Sequence, residues 1–402
     1  MPPSPGAIHR LAALARQLSD ESSADGIPIA GAAVQRLRSL ARHFTGSTNS
    51  SSSNEAPIMF LVDHESQIEE LRKTDKVWPF EHIYVMIKLD TGAHRSGLGS
   101  ESPELSQLVR RCHGFIRLRG FYGYSGHSYS SSSEDEAMGY LESDLAGVKR
   151  AAAVAKEQGI DEPLILSVGA SPSSTSVQNF LNSTASSTSP TAIRVREAID
   201  SLNEEHAVEL HAGVYPLLDM QQLATRARPP LPPQDSAVHP ESQLAAGLSM
   251  DDLALSILVE VSSVYDHRAE PEVLITAGSL ALGREPCKSY PGWGVVNTFL
   301  SPELVSDAPD GEDRTDTSPA PVIYNETDRT GWIVSKISQE HGILKWEGDV
   351  SKKRALRYGE KLLVWPNHAC IAGAGFGWYL IVDSSTVEKD IVRDVWVRWR
   401  GW

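Results

Sequence analysis

Residues 86–98 read MIKLDTGAHRSGL, an apolar run that leads into a glycine-containing turn. Similar short apolar runs recur before residue 226, and helix-like segments separate them. Strands that alternate with helices predict a parallel sheet, either doubly wound or closed into a barrel. The predicted strands are Ile58–Val62, Ile83–Ile87, Phe115–Tyr124, Leu164–Val168 and Ala207–Leu210. The predicted helices include Ile8–Leu18, Val34–Ala41, Glu65–Lys73, Met138–Gln158 and Ile193–Asn203.

The number of strand-helix units bears on the choice between these two architectures. We count five units in the sequence, whereas a (β/α)8 barrel contains eight. At roughly 30 residues per unit, the shortfall corresponds to about 90 residues missing from the N-terminus of a barrel. A five-stranded doubly wound sheet fits the same count, so the pattern alone leaves both architectures open.

The pattern changes after a Pro-rich stretch, Arg226–Pro240, which we interpret as the boundary between a domain of residues 1–245 and one of residues 246–402. Short strands separated by turns predict a mostly antiparallel β domain in the second part. Two further segments are predicted to be loops, the Ser-rich Thr45–Glu55 and the acidic Asp307–Pro321. The strands predicted after the boundary are Ile257–Val264, Val273–Ala277, Trp332–Ile337, Lys361–Trp365, Trp378–Val382 and Asp394–Val397.

The composition is that of an ordinary globular protein. The chain has 402 residues, of which 41% are apolar and 22% charged, and no apolar run is long enough to cross a membrane. Its net charge of -15 argues against a nucleic-acid or anionic-membrane partner. Three cysteines do not make a disulfide framework, and the N-terminus lacks the pattern of a secretory signal. We therefore expect a cytoplasmic protein.

A histidine and a cysteine stand two positions apart near the C-terminus. His368 and Cys370 follow the apolar run Leu362–Trp365. Side chains at i and i+2 of an extended segment point the same way, so both can reach one metal ion. Zinc accepts nitrogen and sulfur ligands together, and a site with few protein ligands keeps positions for water or a substrate hydroxyl. A buried cysteine beside an unrelated histidine is the alternative that these residues alone leave open.

Several segments resemble known pyridoxal phosphate enzymes. Residues 86–98 resemble the barrel strand and turn of the alanine-racemase type. Further segments resemble the eukaryotic D-serine dehydratases, in the same order along the chain from Ile58 to Trp402. These segments are Gly120–Tyr129, Leu166–Pro172, Gln339–Leu344, Pro366–Cys370 and Val392–Trp396.

The resemblance implies an α/β fold of the (β/α)8 alanine racemase type, incomplete at the N-terminus and followed by the β domain. It implies a homodimeric lyase that converts D-serine to pyruvate and ammonia with pyridoxal phosphate and zinc. Pyridoxal phosphate makes the α-proton removable, and zinc assists departure of the β-hydroxyl. Related aldolases carry a carboxylate where Cys370 stands, so the thiol favours a dehydratase. D-Threonine aldolase-like and hydroxyaspartate dehydratase-like activities remain the alternatives.

The resemblance also implies which residues form the site. Arg95 and Ser171 are equally compatible with ordinary loop positions. Tyr122 and Tyr129 are equally compatible with packing in the core. Val214 stands where the family has asparagine, so a backbone contact can survive but a side-chain hydrogen bond cannot. We expect Glu340 and His341 near the metal as acid-base or supporting groups, with a polar turn as the alternative. The expected cofactor-binding residues are Tyr122, Tyr129, Ser171, Gly213, Val214 and Arg95, and the expected metal ligands are His368 and Cys370.

The lysine that holds the cofactor in this family lies on the first barrel strand, in a segment like Arg-Pro-His-Val-Lys-Thr-His-Lys. This sequence contains no such segment, and its first lysine is Lys73. Lys88 shares a face with Met86 and Asp90 but matches a racemase lysine with a supporting role, which is the role we expect. Two hypotheses follow: the chain is an incomplete version of such an enzyme, or it is a lysine-less, zinc-binding protein without catalytic activity.

Overall fold

The structure is a computed structural model, and its compact units are Met1–Ala212 and Gly213–Trp402. The predicted helices Ile8–Leu18 and Val34–Ala41 and the predicted loops Thr45–Glu55 and Asp307–Pro321 lie outside the described residues. Where the structure describes helices, none is both long and apolar enough to span a bilayer. The described residues are 59–73, 81–181, 189–228, 247–297, 324–383, 386 and 391–398.

The first unit contains a five-stranded parallel sheet with the strand order β1-β2-β3-β4-β5. This confirms the parallel sheet, and each predicted strand overlaps an observed one. The strands are β1 (Met59–Val62), β2 (Ile83–Lys88), β3 (Ile116–Tyr122), β4 (Ile165–Val168) and β5 (Ala207–Leu210). The helices are α1 (Glu65–Arg72), α2 (Pro103–Arg111), α3 (Glu134–Glu157), α4 (Ser171–Thr175) and α5 (Pro190–Asn203).

Polar caps fix where these helices begin. Ser133 accepts a hydrogen bond from the Glu136 N–H at 3.2 Å and so starts α3, whose 24 residues bury an alanine-rich face. Helix α2 was not among the predicted helices. It begins after Ser102, whose hydroxyl accepts from the Leu105 N–H at 3.2 Å, and has Pro103 as its first residue.

A β-bulge in strand β3 sets the register of the sheet near its C-terminal edge. Val85 pairs with Leu118, but Met86 pairs with Gly120, so one residue of β3 is left over. A shift by one residue exchanges the two faces of a strand. The bulge therefore determines which side chains of β3 lie beside the end of β2.

The second unit is built on a closed antiparallel barrel with the order β10-β7-β6-β11-β8-β9. Buried side chains from its strands, such as Val261, Val334, Leu344 and Leu362, fill the interior. A separate hairpin joins β12 and β13. The strands are β6 (Ile257–Tyr265), β7 (Glu272–Ile275), β8 (Gly294–Asn297), β9 (Gly331–Ile337), β10 (Gly342–Glu347), β11 (Lys361–Pro366), β12 (Trp378–Val382) and β13 (Val392–Val397). The helices are α6 (Met220–Thr225), α7 (Ser279–Leu282) and α8 (Ala369–Ala374).

These strands confirm the antiparallel β domain, and β8 and β10 are additional to the predicted ones. The boundary between the two units lies between residues 212 and 213, which is earlier in the chain than the boundary predicted after residue 245. Residues 213–228 belong to the second unit because α6 packs its buried Met220 and Leu223 against Tyr290 and Trp365 of that unit.

Candidate functional site

Four polar or charged side chains lie side by side across the C-terminal edge of the parallel sheet. The register pairs Lys88 with Tyr122, Tyr122 with Ser167, and Ser167 with Glu209. These residues belong to four neighbouring strands, β2 to β5. Active sites of α/β barrels form at this edge, where the carboxyl ends of the strands meet. We call these four residues the polar row.

His211, which follows β5, contacts two members of the polar row, Tyr122 and Ser167. Its ring stacks on the ring of Tyr122, with centroids 4.2 Å apart and planes 6° apart. Its Nδ1 lies 3.0 Å from the Ser167 hydroxyl, which donates to Glu209 Oε1 at 2.7 Å. Because that hydroxyl proton points to the carboxylate, the serine oxygen accepts from Nδ1–H.

The other imidazole nitrogen of His211 is shielded from solvent. Its Nε2 is buried and has no hydrogen-bond partner among the described residues. Burial lowers the pKa of His211 to about 4, and the Glu209 charge opposes that shift only in part. The imidazole is therefore neutral at physiological pH and presents a hydrogen-bond acceptor.

Lys88 supplies an amine to the same edge of the sheet. Its side chain is only 5% exposed, and its Nζ lies 5.5 Å from the centre of the Tyr122 ring and donates to the Leu89 carbonyl at 2.5 Å. Burial lowers the pKa of Lys88 to about 8, although the buried carboxylate of Asp144 opposes the shift. A substantial part of the amine is thus neutral near pH 8. Burial also raises the pKa of the Tyr122 hydroxyl to about 12.

The other predicted cofactor residues of the first unit follow strands β2, β3 and β4 along the chain. Tyr129 lies in a short 3-10 helix at Gly126–Ser130 and is half-buried. Ser171 is buried as the first residue of α4. Arg95 is exposed, and its guanidinium lies 4.9 Å from the centre of the Tyr124 ring. Their contacts with a cofactor stay predictions.

Gly213 and Val214 begin the second unit. Gly213 is exposed, and a Cβ added there would meet nothing within 4 Å. Val214 is buried and packs in a small apolar cluster with Leu255, Ala369 and Ala372. An apolar side chain therefore suits this position, and only its backbone remains a candidate for a phosphate contact.

The predicted metal ligands lie at the start of helix α8 in the second unit. The expectation that His368 and Cys370 lie in one extended segment is wrong, because α8 begins at Ala369. The reason lies in Asp219, whose carboxylate accepts a hydrogen bond from the Ala369 N–H at 2.8 Å. A negative charge at a helix N-terminus stabilises the helix. Cys370 is half-buried, and burial, followed by the charge of Asp219, raises the pKa of its thiol.

The donor set fits a zinc ion in its chemistry. His368 Nδ1 lies 2.7 Å from Oε1 of Gln221, so Nε2 is the nitrogen that would bind a metal. Imidazole nitrogen together with a thiol sulfur is a combination that zinc accepts. Within the described residues, no group of three or more His, Cys, Asp and Glu side chains is arranged to hold a metal ion. His368 and Cys370 as ligands therefore stay a prediction.

Glu340 and His341 lie in the turn between β9 and β10, and both are exposed. The hydroxyl and the N–H of Ser338 both donate to the His341 carbonyl, at 3.0 and 2.8 Å, and so close this turn. The placement agrees with a polar turn, while an acid-base role for either side chain stays a prediction.

Asn367 anchors the segment that carries the predicted metal ligands. Its buried side-chain amide donates to the carbonyls of Glu285 at 2.9 Å and Gly292 at 2.8 Å, and it accepts from the Tyr290 hydroxyl. We expect Asn367→Ala to lower the free energy of unfolding by about 2 to 3 kcal/mol, because these buried groups lose their partner. Urea unfolding followed by tryptophan fluorescence measures the change. Asn367→Asp, which cannot donate, should also destabilise; unchanged stability in both variants would contradict the anchoring role.

The sequence reasoning did not identify His211, Gln221, Asp219 or Asn367 as site residues. A signal existed for His211, a polar residue directly after a predicted strand, and for Asn367, which lies between Pro366 and the predicted ligand. Nothing in the sequence pairs Gln221 with a histidine 147 positions away.

Comparisons with known proteins cover both units. The serine dehydratase domain family matches residues 254–382, and the alanine racemase N-terminal domain family matches residues 9–185. D-serine dehydratase of Schizosaccharomyces pombe is 30% identical over 352 residues, which are 86% of this chain and 68% of that protein. D-threo-3-hydroxyaspartate dehydratase of Delftia sp. is 26% identical over 336 residues, 80% of this chain and 67% of that protein.

A solved structure shows the same fold. An alanine racemase-like protein from Idiomarina loihiensis matches with a TM-score of 0.58 at 19% identity, over 94% of this chain and 78% of that chain. The chain therefore has the alanine racemase-like fold, with a parallel α/β sheet followed by an antiparallel β domain.

Proposed function

Because the chain belongs to the D-serine dehydratase family, we propose that it is a lyase that removes water from D-serine and releases pyruvate and ammonia. The proposal includes pyridoxal phosphate and zinc as cofactors, a homodimer as the working form and the cytoplasm as the location. The observation that carries it is the polar row beneath the neutral imidazole of His211. That arrangement joins an amine, aromatic rings and a hydrogen-bond acceptor at the C-terminal edge of the sheet, where α/β barrels form their active sites.

Lys88, Tyr122 and His211 fit the surroundings of pyridoxal phosphate, whereas the sequence contains no counterpart of the lysine segment that holds this cofactor in the family. When bound, this cofactor draws electrons from the α-carbon of an amino acid, which makes the α-proton removable. The stacked rings of Tyr122 and His211 would offer the cofactor an aromatic surface, and the buried Nε2 of His211, which has no hydrogen-bond partner among the described residues, would be an acceptor for it. Lys88 Nζ, with a pKa of about 8, can take up or release a proton near physiological pH.

In the second unit, His368 and Cys370 would hold the zinc ion. Zinc supplies a Lewis acid that stabilises the negative charge on a departing β-hydroxyl. The chain's own contribution is to keep the two ligands in place. The carboxylate of Asp219 fixes the start of α8, and Asn367 fixes the residue before His368.

The proposal is tested with the purified full chain, supplied with pyridoxal phosphate and zinc and then with D-serine. We expect pyruvate and ammonia in equal amounts, no product from L-serine, and loss of activity on treatment with a metal chelator. Cys370→Ala should lower kcat/KM by roughly a hundredfold or more, because removing a metal ligand exceeds the 10- to 100-fold effect of a supporting residue. Cofactor absorbance and zinc content of each protein are measured alongside.

Two outcomes would contradict the proposal. Zinc binding without cofactor binding or product would favour the hypothesis of a zinc-binding protein without catalytic activity. A chain that binds both cofactors but forms no pyruvate from D-serine would exclude D-serine as the substrate. Light scattering at the assay concentration tests the proposed homodimer independently of the reaction.

A second candidate is the dehydration of D-threo-3-hydroxyaspartate, the substrate named for the Delftia enzyme that is 26% identical. The two activities differ in the group on the β-carbon, which is a hydrogen in serine and a carboxylate in hydroxyaspartate. Comparing kcat/KM for the two substrates decides between them, with pyruvate and oxaloacetate as the respective products.

A further inference from the structure

We propose that Gln221 is a positioning residue that fixes the tautomer of His368, so that zinc binds the Nε2 nitrogen. The inference rests on the zinc site of the proposed function. It assigns a role to a residue of helix α6, far in sequence from the predicted ligands. The contact that carries it is the 2.7 Å distance between His368 Nδ1 and Gln221 Oε1.

The direction of this hydrogen bond follows from the other end of the Gln221 amide. Its Nε2 donates to the carbonyl of Pro286 at 2.7 Å, and a carbonyl oxygen can only accept. The amide nitrogen therefore faces Pro286, and the amide oxygen faces His368. Because an amide oxygen also only accepts, His368 Nδ1 must carry the proton. In a neutral imidazole the remaining lone pair is then on Nε2.

Gln221 is fixed by hydrogen bonds that also fix the segment before His368. Its backbone N–H donates to the Asn367 carbonyl at 3.1 Å. Asn367 in turn binds the carbonyls of Glu285 and Gly292, on either side of the Pro286 that Gln221 contacts. Hydrogen bonds therefore link Gln221, Asn367 and the loop of residues 285–292 beside His368.

A neutral partner has a consequence for the metal. Many zinc-binding histidines donate to a carboxylate, which raises the basicity of the ligand. Here the nearby carboxylate, Asp219, accepts hydrogen bonds from the backbone N–H groups of Ala369 and Gln222 instead. An amide orients the imidazole without adding a second negative charge to that of Asp219. The zinc would keep more of its Lewis acidity for the departing hydroxyl.

Zinc affinity of the full chain, measured by competition with a chromophoric chelator and without cofactor or substrate, tests the proposal. Gln221→Leu should weaken zinc binding by roughly 10- to 100-fold, the usual effect of losing a residue that orients a metal ligand. Gln221→Glu restores an acceptor for Nδ1–H, so its affinity should lie closer to that of the wild type than to that of the leucine variant.

The neighbouring glutamine on the same helix offers a matched control. Gln222 is buried, and its side-chain amide has no hydrogen-bond partner among the described residues. Gln222→Leu should therefore leave zinc affinity within about threefold, well below the 10- to 100-fold expected at Gln221. An equal loss at both glutamines would show that α6 acts only through packing, and would overturn the positioning role.

Nitrogen-15 NMR of the His368 ring in the zinc-free protein provides a second readout. We expect the proton on Nδ1 in the wild type and a mixture of tautomers in Gln221→Leu. A proton on Nε2 in the wild type overturns the inference, as does a chain that binds no zinc. Because neither measurement involves turnover, a chain that binds zinc through the predicted tautomer but makes no pyruvate would overturn the proposed reaction and leave this inference standing.

Discussion

Replacing Gly120 with alanine should lower the free energy of unfolding of the first unit by at least about 3 kcal/mol. A Cβ at Gly120 would lie 1.9 Å from the carbonyl oxygen of Ile165 on the adjacent strand β4. Overpacking against a side chain typically costs about 1 to 3 kcal/mol. Here the obstacle is backbone in the middle of a sheet, which cannot rotate away, so β3 and β4 must separate.

Thermal and urea unfolding, combined with hydrogen exchange of peptides from β3 and β4, measure the effect of Gly120→Ala. Gly139→Ala is the control, because Gly139 lies inside helix α3 and a Cβ there meets nothing within 4 Å. That variant should be more stable than the wild type by up to about 1 kcal/mol, the difference in helix propensity. If Gly120→Ala were as stable as the wild type, β3 and β4 could not lie at this spacing.

The same glycine links the fold to the candidate site. Gly120 lies where the bulge in β3 shifts its pairing with β2, and the shift brings Tyr122 level with Lys88. On the other side, Gly120 pairs with Ile165 of β4, which brings Tyr122 level with Ser167. We therefore expect Gly120→Ala to disrupt the polar row as well as the sheet. Absorbance of bound pyridoxal phosphate in the residual folded protein reports on that loss.

Much of the fold was predictable because its signals are local. Four strands of the parallel sheet consist mainly of apolar residues, and only β3 also carries two arginines. Because helix-like segments separate the strands, the existence and the order of these elements follow from the sequence. Helix α2 had an equally local signal in Ser102 and Pro103, a cap followed by proline at the first helical position. Strand β10 alternates buried and half-buried residues, the period of a strand, but the sequence reasoning used this region only for its family resemblance.

The geometry of the candidate site was less predictable because it depends on register and on distant contacts. The bulge that aligns Lys88 with Tyr122 leaves no pattern in the sequence, because it reflects pairing between strands. The start of helix α8 depends on Asp219, whose carboxylate accepts a hydrogen bond from the N–H of Ala369, 150 positions away. Spacing of two residues therefore identified His368 and Cys370 as a pair but gave the wrong local backbone conformation for them.

Lys88 offers a test of whether the candidate site contains a destabilising buried amine. We expect Lys88→Met to be more stable than the wild type at pH 7, and we expect this advantage to fall by about 3 kcal/mol between pH 7 and pH 11. Burial lowers the pKa of Lys88 from 10.5 to about 8 in the folded chain. Each unit of pKa shift corresponds to about 1.4 kcal/mol.

The sign of the pH dependence follows from proton binding. Below pH 8 both the folded and the unfolded wild-type chains hold the proton, so the cost of burying the ammonium is fully present. Between pH 8 and 10.5 the unfolded chain holds the proton while the folded chain has lost it, so wild-type stability rises with pH relative to the variant. Other groups that titrate in this range, including the buried thiol of Cys112, are common to both proteins and cancel in the difference.

Urea unfolding of wild type and Lys88→Met at unit intervals from pH 7 to 11 gives this difference directly. Lys149→Met, an exposed lysine on helix α3, controls for the loss of a lysine as such. In an Asp144→Asn background the fall should begin at a lower pH, because the buried carboxylate of Asp144 supports the ammonium form. A stability difference that stays constant across the range would mean that the Lys88 amine is solvated, and it would remove the neutral amine from the chemistry proposed at the polar row.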